Sequence, residues 1–424
     1  MHLYLFRSCA LVNEISGWIT WGTRYMDQEQ DIQLATEPLT ADQAAMEGPT
    51  NPERRRFNMG ALVAITATAI GTSGLGRLAR AAESNPASDG FRVPAEWEPH
   101  QSVLMAYPYD KSYKDQLKPM QDSVINVANA IAQFEPVLMM AMTGYTEVVR
   151  KRCGPNVTVI ENPYNDCWTR DTAPVFALSP SGHDMLGRDF IFNGWGNRWS
   201  APLDDQLPTG VCATLNVPES PVNMVFEGGA VITDGQGTLI TTEQCLLNPN
   251  RNPSMTKAQI ETVLLRAYNA TKMIWLPYGV YGDDGAAATD GHVDLVTAYI
   301  EPAHLLLNYP SDPSNPNVPR MAANLAVLQQ STDAKGRPFK ITKMPVQPTF
   351  KVSGLTVENF SYINFYKSNV GIVVPISGTP ADEIALNLFR KIFPGRPVVG
   401  VDGTILANNG GGVHCITQHI PSVG

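Results

Sequence analysis

Five short polar segments of the sequence hold the residue types that nucleophilic catalysis needs. They are 165–174 (NDCWTRDTAP), 193–196 (NGWG), 226–229 (FEGG), 290–294 (DGHVD) and 408–418 (NNGGGVHCITQ). Each segment sets Asn, Asp, Glu, His or Cys beside glycine or proline, which by itself is typical of an ordinary loop. Their chemistry therefore has to be inferred from the combination.

The thiol and the imidazole come from two different segments. Cys415 follows three glycines, which let the backbone approach a ligand closely and give the thiol access. We predict a strand that starts at His292, so that His292 and Asp294 lie on the same face of it. A carboxylate beside a histidine favours the protonated imidazole, which suits proton transfer. A cysteine and a histidine far apart in sequence match a nucleophile set.

Several carboxylates accompany this set, although a Cys–His hydrolase that acts on a carbonyl group does not need them. Asp171, Glu227 and Asp294 lie in three of the five segments. A planar cationic substrate accounts for them, because the donors of a guanidinium group match carboxylates bidentately. Each charge-assisted hydrogen bond contributes on the order of 1.5–3 kcal/mol. Zinc is the alternative for such residues, but the sequence has no CxxC or HxxxH spacing, so we predict no metal.

The elements that must position these residues follow from the hydrophobic periodicity. Helices are predicted at 115–133, 254–270 with Ser254 as N-cap, 317–331 and 380–393. Strands are predicted at 102–107, 136–141, 157–161, 174–178, 189–192, 224–233, 239–242, 272–276, 292–300, 303–309, 339–344, 361–366, 371–375 and 398–401, with a short continuation at 403–406. Strand pairs alternate with single helices at intervals of roughly 60–70 residues, which indicates a repeated ββαβ module whose faces a closed ring would cover.

The composition narrows the class of protein. The chain has 424 residues, of which 43% are hydrophobic and 17% charged, so a packed globular body is expected rather than a disordered chain. Its 31 Lys and Arg against 40 Asp and Glu give a net charge of −9 without a basic block, which argues against a nucleic-acid partner. No low-complexity linker follows Pro86, so we predict that residues 83–424 form one catalytic domain.

The N-terminal part of the chain has the features of an export signal. The run RRRF at 54–57 has the twin-arginine form, an uncharged stretch follows, and ARA at 79–81 has the form of a cleavage site. We therefore predict a twin-arginine signal at 46–82, the twin-arginine export machinery as a partner, and a periplasmic or extracellular location. A retained membrane anchor is the alternative. Because such signals usually begin with a short charged region, Met46 is the expected first residue and 1–45 a doubtful extension.

The cysteine count leaves at least one thiol unpaired within the mature chain. Removal of the signal leaves five of the six cysteines, an odd number. A scaffold held together by disulfides is not expected at this density. Cys245 precedes a turn rich in Pro and Asn and is assigned a structural role, and Cys167 is not the expected nucleophile. His414 and His419, on either side of Cys415, are given no role.

Taken in order, these segments resemble those of the family that includes agmatine deiminases and bacterial peptidylarginine deiminases. The matching pieces are VPAEWEPH at 93–100, WTRDTAP at 168–174, FEGG at 226–229, TEQCLLNPNRNP at 242–253, DGHVD at 290–294 and GGGVHCITQ at 410–418. The resemblance covers nearly all of 92–422. It implies an α/β fold, a five-bladed α/β propeller (pentein) of ββαβ units with pseudo-fivefold symmetry and the site at its centre.

The resemblance also implies a role for each catalytic residue. Cys415 is the expected nucleophile, which attacks the guanidinium carbon and forms a covalent thiouronium. His292 is expected to protonate departing ammonia and then to activate water, and such proton transfer is typically worth about 10²–10⁴-fold. Asp171 and Asp294 are expected to bind the guanidinium nitrogens, and Glu227 to hydrogen-bond the histidine. No organic cofactor is needed, because the thiol and the carboxylates carry the chemistry.

The resemblance specifies the substrate less closely than the reaction. Trp168 and Gly412 are expected to contact the small-molecule guanidino substrate. The first hypothesis is conversion of agmatine to N-carbamoylputrescine and ammonia, as in putrescine biosynthesis. The alternatives are a deiminase of peptidyl-arginine or another guanidino compound, and a guanidinium-binding protein without turnover. Residues 285–288 look inserted near the expected amine end, so that end of the pocket is expected to differ. A homo-oligomer is expected by analogy alone.

Overall fold

The computed structural model describes residues 89–285, 288–352 and 354–424. The predicted extension at 1–45 and the predicted export signal at 46–82 lie outside the described residues. Within the described residues no helix is both long and apolar enough to cross a membrane. The described part contains five cysteines, and all of them are free thiols: Cys153, Cys167, Cys212, Cys245 and Cys415.

Most strands of the described part lie within two residues of the predicted bounds. They are β1 (His100–Ala106), β2 (Val137–Ala141), β3 (Val157–Glu161), β4 (Val175–Leu178), β5 (Met185–Ile191), β6 (Glu219–Val225), β7 (Val231–Thr233), β8 (Thr238–Thr242), β9 (Lys272–Leu276), β10 (Thr297–Glu301), β11 (His304–Tyr309), β12 (Lys340–Pro345), β13 (Phe350–Val352), β14 (Leu355–Val357), β15 (Tyr366–Lys367), β16 (Ile372–Ile376), β17 (Val398–Asp402) and β18 (Gln418–Pro421).

The longer helices supply the crossover connections between these strands, and four single-turn helices lie in the loops. They are α1 (Leu117–Ile131), α2 (Thr146–Arg152), α3 (Thr169–Thr172), α4 (Gly194–Asn197), α5 (Leu207–Leu215), α6 (Glu243–Leu246), α7 (Lys257–Tyr268), α8 (Asn317–Gln330), α9 (Ala381–Ile392) and α10 (Thr404–Asn408). The predicted N-cap of α7 was two residues early: Thr256 caps it and forms a capping box with Gln259, which satisfies two backbone donors at the helix start.

Five of the sheets repeat one arrangement. An antiparallel strand pair is followed by a helix and then by a third strand parallel to the second, in the orders β4-β5-β6, β7-β8-β9, β10-β11-β12, β15-β16-β17 and β18-β1-β2-β3. Helices α5, α7, α8, α9 and α1 make the respective parallel crossovers. The predicted α/β fold of five ββαβ units is therefore confirmed, and β3, reached through α2, adds a fourth strand to one of them.

The first and last strands of the described residues close this repetition. β18 pairs antiparallel with β1, so that Pro421 lies opposite His100. The antiparallel pair of this fifth unit is thus built from the two ends of the domain, as a closed ring of repeats requires. Buried apolar side chains form four clusters between the sheets and their helices, and the largest of them surrounds β1, β2 and α1 and includes Cys415.

The predicted strands were wrong where the chain turns toward the centre. The single strand predicted at 224–233 is two strands of different sheets, β6 and β7, separated by a 3₁₀ turn at Gly228–Ala230. The strand predicted at 292–300 begins only at Thr297, because a 3₁₀ turn occupies Val293–Leu295. An apolar run does not distinguish one continuous strand from two short strands, so periodicity could not locate these breaks.

Two further predictions failed near the C-terminal end of the described chain. The strand predicted at 361–366 is a turn that enters β15 only at Tyr366. The extension predicted at 403–406 is instead the start of α10. There Asp402 accepts hydrogen bonds from the backbone N–H and the hydroxyl of Thr404, and this local side-chain capping competes with continuation of the strand.

Candidate active site

The five predicted catalytic residues all lie on the turns that interrupt the strands. Asp171 is in the one-turn helix α3, and Glu227 directly precedes the 3₁₀ turn after β6. His292 and Asp294 flank the start of the next 3₁₀ turn, so they do not share a strand face as predicted. Cys415 lies in a turn between α10 and β18. The structure brings all five together, because each of these turns faces the same central space.

Gly229 marks the point where three of these groups converge. A Cβ atom at this position would lie 2.6 Å from Nδ1 of His292, 2.9 Å from Oδ1 of Asp171 and 3.2 Å from Oδ2 of Asp294. The first two distances are shorter than real Cβ contacts, so any larger residue would displace the imidazole or the carboxylate. The second glycine of the FEGG segment is therefore required by the close approach of the catalytic groups.

The Cys415 thiol is buried among polar partners. Its Sγ accepts a hydrogen bond from Nδ2 of Asn364 at 3.2 Å and donates one to Oδ2 of Asp294 at 3.5 Å. Burial raises the pKa of Cys415 well above its usual range, and the charges of Asp294 and Asp171 raise it further, against the opposing hydrogen bonds from the Gly412 backbone and Asn364. The thiol is consequently protonated in the free protein. Gly412 packs against Asn364, whose Oδ1 would lie 2.4 Å from an added Cβ.

The two carboxylates predicted to bind the substrate are held differently. Asp171 accepts the indole N–H of Trp195 at 2.9 Å and the backbone N–H of Gly229 at 2.9 Å. Burial raises the pKa of Asp171, and the nearby charge of Asp294 adds to this. Burial also raises the pKa of Asp294, but His414 outweighs it, so that the net pKa is lowered. Oδ1 of Asp294 is buried and has no hydrogen-bond partner.

His292 lies between two carboxylates without a hydrogen bond to either. Its Nδ1 is 3.8 Å from Oδ1 of Asp171 and its Nε2 is 3.9 Å from Oε2 of Glu227, distances that fit ion pairs but not hydrogen bonds. Burial lowers the pKa of His292, yet Asp171, Cys245 and Glu227 more than offset this, so the pKa is well above its usual value. Both ring nitrogens are buried and unpartnered, which leaves them available to a substrate.

Three side chains at and beside His292 have the composition of a metal site. Ligand atoms of Glu227, Cys245 and His292 all lie within 4.8 Å of one another. These are zinc-type donors, and Cys245, assigned a structural role from the sequence, therefore lies beside the site. The guanidinium of Arg251 donates to Oε1 of Glu227 at 2.8 Å and has no exposed surface. This cation already compensates the carboxylate, which opposes the binding of a divalent cation at the same place.

A cavity reaches Cys415, and its lining includes five carboxylates and four aromatic rings. Trp168 borders it and packs against Gly411, where an added Cβ would meet the ring at 2.3 Å. Lys114 is the one cation among the described residues that line it, and its side chain is exposed. Thr289 and Ala288, at the end of the insertion-like stretch, also border the cavity. The carboxylates in its wall are those of Asp110, Asp115, Asp166, Asp171 and Asp204.

Asp204 is the most unusual of these carboxylates. Burial raises its pKa to about 8, and the charges of Asp166 and Asp110 act in the same direction. Its Oδ1 accepts the backbone N–H of Asn165 at 2.7 Å, whereas its Oδ2 is buried without a partner. Asp166 instead accepts the phenol of Tyr113 at 2.7 Å. An unpaired carboxyl oxygen in the cavity wall is available to a cationic group on a ligand.

Sequence reasoning missed several residues that hold this site. Asn364 lies in a turn predicted as strand, and no motif surrounds it. Trp195 is in the NGWG segment but has no role assigned from the sequence, and His414 has none although it precedes Cys415. The adjacency of His414 to the expected nucleophile was the only signal in the sequence for its position. Its ring contacts Asp294, and the chain turns at 414–417.

Known proteins resemble this chain over most of its length. An agmatine deiminase of Pseudomonas syringae pv. tomato is 39% identical over 366 residues, covering 80% of this chain and 98% of the relative. One from Pseudomonas fluorescens is 38% identical over 372 residues, with 80% and 98% covered. A solved agmatine deiminase of Enterococcus faecalis superposes with a TM-score of 0.74 at 34% identity, over 79% of this chain and 97% of that one. The model of one family matches residues 92–421, which include every residue of the site described above, and the chain thus belongs to the Porphyromonas-type peptidyl-arginine deiminase family.

Proposed function

We propose that the protein hydrolyses guanidino compounds and that its substrate is agmatine, which yields N-carbamoylputrescine and ammonia. One observation carries the proposal: the Cys415 thiol donates to the Asp294 carboxylate at 3.5 Å and lines, together with Asp171, a cavity that has five carboxylates in its wall. A planar cation fits between two carboxylates, and the thiol is then positioned beside its central carbon. The relatives named agmatine deiminases support this assignment.

Binding of the cation prepares the nucleophile. The charges of Asp294 and Asp171 contribute to the raised pKa of Cys415. A guanidinium placed between them compensates those charges, and its own charge favours the thiolate, so the pKa of the thiol falls when the substrate arrives. The thiol gives up its proton to water in the cavity, and the thiolate then attacks the guanidinium carbon and forms a neutral tetrahedral adduct. The ammonia that is released later takes up one proton from water, so the protons balance. The buried thiol is thereby kept unreactive until a cationic substrate occupies the site.

His292 accounts for the proton transfers. Its raised pKa keeps it as imidazolium in the free protein, so it can donate a proton to the departing nitrogen as the tetrahedral adduct expels ammonia and becomes a thiouronium. The neutral imidazole then takes a proton from water, which attacks the same carbon. Collapse of this second adduct breaks the C–S bond, releases the ureido product and restores the thiol and the imidazolium.

The walls of the cavity favour an amine at the far end of the substrate. Asp166 and Asp204 line it alongside Trp168, and Oδ2 of Asp204 has no partner. An ammonium group would favour ionisation of Asp204 and pair with that oxygen, whereas the α-carboxylate of arginine would gain no such pair there. Lys114 also lines the cavity, and its ammonium group could pair with a carboxylate or carbonyl group of arginine or of a peptide. Free arginine and an arginine peptide are therefore the substrates to compare with agmatine.

Ammonia release by purified protein tests the proposal. Agmatine, free arginine and a blocked arginine peptide are compared at equal concentration, and agmatine is expected to give the highest kcat/KM. Cys415→Ser should abolish turnover, and Cys212→Ser, which removes a buried thiol outside the lining of the cavity, serves as the matched control. A higher kcat/KM for the arginine peptide than for agmatine would mean that peptidyl-arginine, and not agmatine, is the substrate. Full activity of Cys415→Ser would refute the nucleophile, and no turnover with binding would indicate a guanidinium-binding protein.

A further inference from the structure

We infer that His414 and Glu96 are positioning residues that hold the Asp294 carboxylate in the orientation in which it receives the guanidinium group. The inference rests on the proposed function. It adds residues that support Asp294, the carboxylate proposed to bind the substrate, without contacting the substrate themselves. Neither residue touches the thiol or the space in front of it, so their effect would pass through Asp294.

A continuous hydrogen-bonded chain links the three side chains. Nδ1 of His414 lies 2.9 Å from Oδ2 of Asp294, and its Nε2 lies 2.8 Å from Oε1 of Glu96. Because both partners are carboxylates, which only accept hydrogen bonds, both ring nitrogens must carry protons and the ring is an imidazolium. Burial and the charge of Arg170 lower the pKa of His414, but the two carboxylates outweigh them and the net pKa is raised. The charge state therefore agrees with the geometry.

The backbone fixes this ring relative to the nucleophile. The backbone N–H of His414 donates to Oδ1 of Asn364 at 2.9 Å, and that of Cys415 donates to the same oxygen at 3.2 Å. The amide nitrogen of Asn364 donates to Oδ2 of Asp294 at 3.2 Å. One amide side chain thus ties together the turn that carries the thiol and the carboxylate beside it.

The two carboxylate oxygens of Asp294 consequently differ in their hydrogen bonding. Oδ2 receives His414, Asn364 and the Cys415 thiol, whereas Oδ1 is buried without any partner. A carboxylate that is fixed at one oxygen and free at the other presents a single acceptor to the substrate in a defined direction. Without His414 the carboxylate would lose the contact that most lowers its pKa, and it could rotate toward Asn364 and the thiol.

Glu96 in turn holds the far side of the ring. It precedes β1, in the VPAEWEPH stretch, and Arg170 pairs with the same Oε1 at 3.1 Å. Nδ1 of His419 is 3.9 Å from that oxygen. The cations that face His414 are therefore Arg170 and, when protonated, His419, and its anions are Glu96 and Asp294. Arg170 directly precedes Asp171 in the chain. The supporting residues are therefore connected to both carboxylates that are proposed to bind the substrate.

Binding of agmatine to Cys415→Ser protein, which cannot form the adduct, tests the inference directly. Quenching of tryptophan fluorescence reports Kd, since Trp168 and Trp195 border the cavity. In this background His414→Leu is expected to raise Kd by about 10- to 100-fold at neutral pH, the range of one charged hydrogen bond. Glu96→Gln, which keeps the shape of the side chain, should give a smaller rise. His304→Leu is the matched control, because His304 is also buried, contacts Glu301 and lies outside the site.

The dependence of Kd on pH separates positioning from a loss of stability. Removal of His414 raises the pKa of Asp294, so the carboxylate ionises only at higher pH, and the deficit in His414→Leu should shrink as the pH rises. A merely structural defect would not recover in this way. His414→Gln retains an amide donor toward Asp294 and should bind agmatine more tightly than His414→Leu. A Kd within twofold of the parent in His414→Leu, or a deficit in His414→Leu that is independent of pH, would overturn the inference.

Failure of the proposed function has a different signature. If the Cys415→Ser parent binds neither agmatine nor any other guanidino compound, the function itself is refuted before the His414 variants are compared. Tighter binding by His414→Leu at every pH would mean that the imidazolium acts only by repelling the cationic substrate, and this too would overturn the positioning role.

Discussion

Replacement of Asp204 by asparagine tests whether the cavity selects a substrate with a cationic tail. Oδ1 of Asp204 already accepts the backbone N–H of Asn165 at 2.7 Å, and asparagine can retain that contact. Oδ2 is buried without a partner, and it is the oxygen that an ammonium group would take. The substitution therefore removes the charge and largely preserves the shape of the wall.

The expected effect depends on pH because the carboxyl group is protonated in the free protein at neutral pH. A hydrogen bond to a charged group contributes about 1.5–3 kcal/mol. Burial raises the pKa of Asp204 to about 8, so its ionisation at pH 7 costs about 1.4 kcal/mol. The net gain from agmatine at pH 7 is then at most about 1.6 kcal/mol, or about 15-fold in KM. Above the pKa this cost vanishes, and the same contact corresponds to about 10- to 150-fold.

KM for agmatine should therefore fall in the wild-type protein as the pH rises through the pKa of Asp204, whereas Asp204→Asn should lack this part of the fall. Ammonia release is measured from about pH 6.5 to about pH 9, over which the substrate amine stays largely protonated. Butylguanidine, which lacks the amine, should show the same KM in both proteins. Asp184→Asn, which removes an exposed carboxylate outside the cavity wall, controls for net charge. Parallel KM profiles for agmatine in the wild type and Asp204→Asn would refute the reasoning.

Three other predictions concern the supports of the site and the N-terminal segment. Trp195→Phe removes the indole hydrogen bond to Asp171 and should lower kcat/KM for agmatine by about 10-fold or more; Trp199→Phe, at an exposed ring on the same cavity, is the control, and equal kinetics would contradict the role. Arg251→Gln removes the arginine that pairs with the buried carboxylate of Glu227, while Asp290 keeps its pair with Arg198, and should cost about 3–5 kcal/mol in urea unfolding; Lys257→Gln, from an exposed pair, should cost under about 1 kcal/mol. Substitution of Arg54 and Arg55 by lysine should retain a signal–reporter fusion in the cytoplasm, and unchanged export would exclude the twin-arginine route.

The repeating elements were predictable because they depend on local patterns. Strands β2, β3 and β9 and helices α8 and α9 follow apolar periodicity, and their predicted bounds agree with the structure within one or two residues. The repetition of a ββαβ unit was also predictable, since each unit places an apolar face where only a neighbouring unit can cover it, whereas the number of five units came from the family resemblance. Short helices such as α2 and α5 were missed, because seven to nine residues carry too few turns for a periodic signal.

The candidate site was predictable in composition but not in geometry. The motif segments identified Asp171, Glu227, His292, Asp294 and Cys415, and the structure brings them together. The contacts that hold them are long-range, as in the pair of Asn364 with Asp294, which are 70 residues apart. Hydrophobic periodicity carries no information about such pairs, so the turn at 361–364 was predicted as strand.

The same physical cause explains why the strands break where the catalytic residues lie. In the FEGG segment, Glu227 pairs with Arg251 on one side of the break, and Gly229 donates to Asp171 on the other. The polar groups freed at such a break are buried, and each requires a partner from another unit. A continuous strand would satisfy its own backbone in the sheet and direct alternate side chains to opposite faces, so it could not bring these groups to one point. Convergence of the predicted acid, base and nucleophile therefore requires irregular backbone, and the long-range hydrogen bonds stabilise it.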